Sequence, residues 1–116
     1  MRLPMKQARG IAAKHIGRTN PDGWNGTGPR PDSVDTLLNT YHIGDNAEIG
    51  IYFAYFEESG WLHVCELRDR NGRLTATGHA TGIGDPDALA ETIKAMYDGK
   101  ELPGPGIKAR IIHQIR

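Results

Sequence analysis

The sequence predicts an α+β domain: a small antiparallel sheet, a three-stranded meander plus a C-terminal strand, with helices packed on one face. Three observations predict it. The centre of the chain alternates β-branched and aromatic residues in short runs. Asn71-Gly72, between two such runs, is a hairpin signal. Flanking segments instead repeat apolar residues every three or four positions, the helical period. The 116 residues suit one domain, 1–116, since domains commonly span roughly 100–200 residues.

The first element is a helix over Met5 to Ile16. Met5, Ala8, Ile11 or Ala12, and His15 or Ile16 share a face, and Gly17 is the expected stop. Lys6, Arg9 and Lys14 lie off that stripe. Next comes GRTNPDGWNGTGPRPD, dense in turn-forming residues, with Trp24 in its middle. Asp32 or Ser33 then caps a short expected helix through Tyr41, with Val34, Leu37, Leu38 and Tyr41 apolar.

IGIYFAYF is the first strand of the meander, with Ile49, Ile51, Phe53 and Tyr55 on one face. Glu57 to Gly60 turns the chain. WLHVCELR follows, with Trp61, His63, Cys65 and Leu67 sharing a side. A two-residue turn at Asn71-Gly72 leads to RLTATGHA. Asp85-Pro86-Asp87 is a helix start: a cap, an early proline, and an acid that suits the dipole. Leu89, Ile93, Met96 and Tyr97 form its stripe, and Gly99 ends it. The last expected strand places Ile107, Ala109, Ile111, His113 and Ile115 on one face.

Composition narrows function mainly by exclusion. A single cysteine, Cys65, forbids an internal disulfide. No stretch approaches the ~20 apolar residues of a membrane helix, and the first residues lack the apolar run of a secretory leader. A cytoplasmic location and no membrane partner are therefore expected. No P-loop, GxSxG elbow or GxGxxG following a strand is present, so no catalytic constellation and no cofactor is expected. His63, Cys65 and His79 have metal-ligand chemistry but not the spacing of a zinc site. Cys65, mid-strand and among apolar neighbours, reads as an inert core thiol.

Charge is zero overall but segregated. Arg2, Lys6, Arg9, Lys14 and Arg18 precede the first acid, whereas Asp32 to Glu58 holds six acids and no base. Such asymmetry marks either an interaction surface or two segments that face each other. The candidate partner-binding residues are Lys6, Arg9, Lys14, Arg18 and Trp24. The cations would meet an anionic partner, and the indole would anchor it or instead plug the core edge.

RLTATGHATGIGDPDALAETIKAM resembles the end of a double-stranded-RNA-binding domain, where a strand leads through a glycine turn to a helix. That family carries lysines at the helix start, where this chain has Asp85, Pro86 and Asp87. The GW…L…NG…T run is similar to small bacterial domains built on a hairpin-then-helix plan. TGHATGIGDPDALAETIKAM before a terminal strand is similar in layout to small phage-encoded anti-CRISPR proteins. That resemblance implies a non-catalytic inhibitor that binds and blocks a host protein or nucleoprotein complex. The alternative is a small nucleic-acid-binding domain using the basic first helix.

Overall fold

The computed structural model describes residues 2–26, 39–58, 60–100 and 111–115. Helix α1 spans Met5–Thr19, followed by strands β1 (Asn39–Ile43), β2 (Ala47–Phe56), β3 (Gly60–Arg68) and β4 (Leu74–Ala80). Helix α2 spans Pro86–Tyr97, and β5 spans Ile111–Gln114. The five strands form one antiparallel sheet in the order β1-β2-β3-β4-β5, so β1 and β5 are its edges.

Register explains the core. Ile49 lies opposite Leu67, Ile51 opposite Cys65, and Phe53 opposite His63. Cys65 in turn faces Gly78, which faces Ile112. These rows point to one side of the sheet, where α1 adds Ala8, Ile11 and Ala12 and α2 adds Leu89, Ala90, Ile93 and Met96. Both helices thus cover the same face. Gly78 permits the close approach of α2, since a Cβ there would come within 2.5 Å of Met96 Sδ.

The ends of the helices are set locally. Asp85 caps α2 by accepting from the Asp87 and Ala88 amides at 2.9 and 3.2 Å. Lys94 Nζ donates to the Leu3 carbonyl at 2.7 Å and to Asp98 at 2.8 Å, while the Leu3 amide donates to Asp98 at 2.7 Å. This clasp ties the start of α1 to the end of α2.

Five details differ from the sequence reading. First, α1 runs through Gly17 to Thr19, because Asn20 supplies the C-terminal cap through its amide on the Ile16 carbonyl. Second, the helix expected through Tyr41 is replaced at residues 39–41 by β1; its remaining positions, 32–38, lie outside the described residues. Tyr41 satisfies either period, and pairing with Ile49 decides it. Third, the sheet therefore has five strands rather than four.

Fourth, the Asn71-Gly72 turn is not a two-residue turn. Only Gly72 has positive φ, 78°, whereas a type I′ turn needs it at both central residues. Asp69 closes the longer loop by accepting from the Gly72 amide and donating to the Arg73 carbonyl, both at 2.9 Å. Fifth, β5 buries Ile112 and exposes His113 and Ile115, the reverse of the expected face; 107–110 lie outside the described residues. Its pairing with Gly78 sets that phase.

Candidate functional site

Two features adjoin one another at the α1–β1 side of the domain. The first is a groove of about 450 Å³. Gln7, Gly10, Ile11, Lys14 and Arg18 form one wall; their spacings of three and four residues put them on one helix face. Thr40, Tyr41 and His42 of the edge strand form the other. The Lys14 ammonium lies 5.9 Å from the Tyr41 ring centroid and the Arg18 guanidinium 5.8 Å. These are cation–π distances. Neither cation has a carboxylate within ion-pair distance among the described residues.

The second feature lies behind Tyr41. The His15 ring packs edge-on against it, and the His63 ring lies beyond His15, 5.5 Å away between centroids and inclined at 70°. The Tyr41 hydroxyl and His15 Nδ1 are 2.9 Å apart. His63 Nε2 donates to the Ile83 carbonyl at 3.1 Å, which leaves Nδ1 as a bare acceptor. His15 Nε2 and His63 Nδ1 are both buried without a hydrogen-bond partner. If the hydroxyl donates to His15 Nδ1, then Nε2 carries the other proton, and the two orphaned atoms are complementary donor and acceptor.

Burial governs this pair. It lowers His15 to about 3, helped by the neighbouring His63 and Arg18. Burial also lowers His63 to about 4, against the bond to Ile83. Both rings are therefore neutral at pH 7. Burial raises the Tyr41 phenol above its usual value, more than the Arg18 guanidinium lowers it. The imidazoles are 0–1% exposed, so they are sealed from any molecule in solvent. Of the two, His15 holds Tyr41 as the floor of the groove.

The five candidate residues do not form one surface. Lys14 and Arg18 line the groove. Arg9 turns to α2 and lies 3.9 Å from Asp87, an exposed pair of little energetic weight. Lys6 is exposed on α1 and is not part of the lining. Trp24 is half-buried and packs on Phe53 and Ile83, edge to face with Trp61 at 5.5 Å. The Asn20 side chain grips its backbone with two 2.7 Å bonds.

His79 pairs with Val64, so it points to the sheet face opposite His63 and Cys65. Among the described residues no group of three metal-ligating side chains converges. Cys65 is fully buried, which pushes its thiol up to about 12.

The sequence reading missed the histidine pair as a unit. His15 was on the apolar stripe and His63 on the inward strand face, which is the one signal available. Compared with protein-family models, curated proteins and solved structures, the chain matches none.

Proposed function

We propose that this chain is a non-catalytic binding protein that docks on a host protein or nucleoprotein complex through the basic wall of the α1–β1 groove. The observation that carries this reading is the placing of Lys14 and Arg18. Both sit over one aromatic ring at the mouth of a groove, with no carboxylate opposite them among the described residues. Two cations held this way are set to receive negative charge from outside. The inhibitor role of the phage or mobile-element kind follows the layout resemblance of the strand–turn–helix segment. A cytoplasmic setting is part of the same proposal. No described helix is long and apolar enough to cross a membrane.

The alternative, a nucleic-acid-binding domain, would use the same cations. A capture experiment beside a salt series separates the two. Wild-type protein should retain a host protein that the Lys14→Glu, Arg18→Glu variant releases, and should not shift free duplex or single-stranded oligonucleotides. Oligonucleotide binding whose salt slope falls by about two units in the variant would favour the alternative instead.

A further inference from the structure

We infer that the groove between α1 and β1 receives an extended acidic peptide segment of a partner protein, lying along β1 as an added strand. This rests on the docking surface proposed above and specifies its occupant. Three observations lead to it.

The first is the edge. Among the described residues β1 pairs with β2 on one side only, so from Thr40 to Ile43 its other row of backbone N–H and C=O groups is not used by the sheet. An open edge is a template for an incoming strand, and main-chain bonds supply affinity when one adds.

The second is charge. Lys14 and Arg18 line the same groove as Thr40, Tyr41 and His42 of that strand, so carboxylates on a strand added there would meet them. Two converging cations make a short footprint for a nucleic-acid backbone, and Arg9 is turned toward Asp87. A second copy of this chain would bring the same two cations face to face across the paired edges. An acidic peptide has neither problem.

The third is Gly10. It lies inside α1, where glycine weakens a helix relative to alanine. Nothing in the fold requires it, because a Cβ there would meet no atom within 4 Å. It is exposed and lines the groove. A side chain at this position would take up the space between helix and strand. Gly17 is equally open but falls in the last turn, and it is not part of the groove lining.

The test uses a phage-displayed library of random linear peptides, panned on the full chain. Gly10→Leu is the discriminating variant, since leucine favours the helix and fills the groove. Enriched peptides should carry acidic residues and bind wild type at least about tenfold more tightly than Gly10→Leu, as loss of a central contact would give. Binding should also slow hydrogen exchange at the Thr40 to His42 amides. No enrichment, enrichment of basic peptides, equal binding to Gly10→Leu, or unchanged exchange at β1 would each overturn the inference. So would a dimer that Gly10→Leu dissociates, since a second copy would then be the occupant. Host-protein capture that is lost in Lys14→Glu, Arg18→Glu but kept in Gly10→Leu would reject the peptide groove and leave the docking surface standing.

Discussion

His15 on α1 and His63 on β3 face each other across the helix–sheet interface, 5.5 Å between ring centroids, each with one buried nitrogen lacking a partner. Unsatisfied buried polar atoms are uncommon in folded proteins because each forfeits its hydration. Here His15 joins α1 to β1, the two elements that frame the groove, through Tyr41, and His63 of β3 packs against His15 from behind. The arrangement makes the groove's floor depend on the interior behind it.

Acid should loosen the domain. Both histidines have folded values below the ordinary 6.5, at about 3 and about 4. Between those values and 6.5 the unfolded chain binds more protons than the folded one. Their contribution is therefore complete above pH 6.5 and is lost as pH falls toward 4. Each should remove up to about 1.4 kcal/mol per pH unit in that window. Urea denaturation at pH 7, 6 and 5 reads this slope. The His63→Leu variant should lower it, and an unchanged slope would show that His63 titrates normally in the folded chain.

Tyr41→Phe tests the link between groove and interior by removing the hydroxyl that faces both His15 and Arg18. The ring that carries Lys14 and Arg18 is kept, while His15 Nδ1 loses its partner at 2.9 Å. A buried nitrogen left alone should cost about 1–3 kcal/mol. Chemical denaturation measures this. Affinity for an acidic peptide should change little in the folded fraction.

Trp24→Ala tests whether the indole serves folding or docking. Trp24 packs against Phe53, Ile83 and Trp61 while half-exposed. A loss of about 2 kcal/mol is expected, below the 3–5 kcal/mol of a fully buried aromatic. Denaturation beside a capture assay separates the roles. Retained capture by folded protein is the expected result; lost capture would return Trp24 to the docking surface.

Cys65 should resist thiol reagents under native conditions, because burial holds the thiol up to about 12. Labelling should accelerate only as denaturant opens the sheet. Fast labelling in native buffer would show that β3 is accessible.

The sequence by itself determined the helix–sheet class, the β2–β3–β4 meander and α2. In those segments local period and long-range burial agree. Ile49, Ile51 and Phe53 alternate as a strand must, and Asp85 caps α2 with its own carboxylate. The helical stripe also contained His15, and the cations Lys14 and Arg18 were legible as charges off it. Only the tertiary structure decided the rest. A tyrosine in a short segment satisfies helix or strand, and cross-strand pairing with Ile49 made Tyr41 part of an edge. A four-residue strand has no dominant phase, so contact with Gly78 chose Ile112 over its neighbours. Above all, no sequence period relates His15 to His63 or Arg18 to Tyr41. Those pairs exist because α1 packs on the same sheet face that β3 and β1 present, and proximity of that kind is a property of packing, not of spacing along the chain.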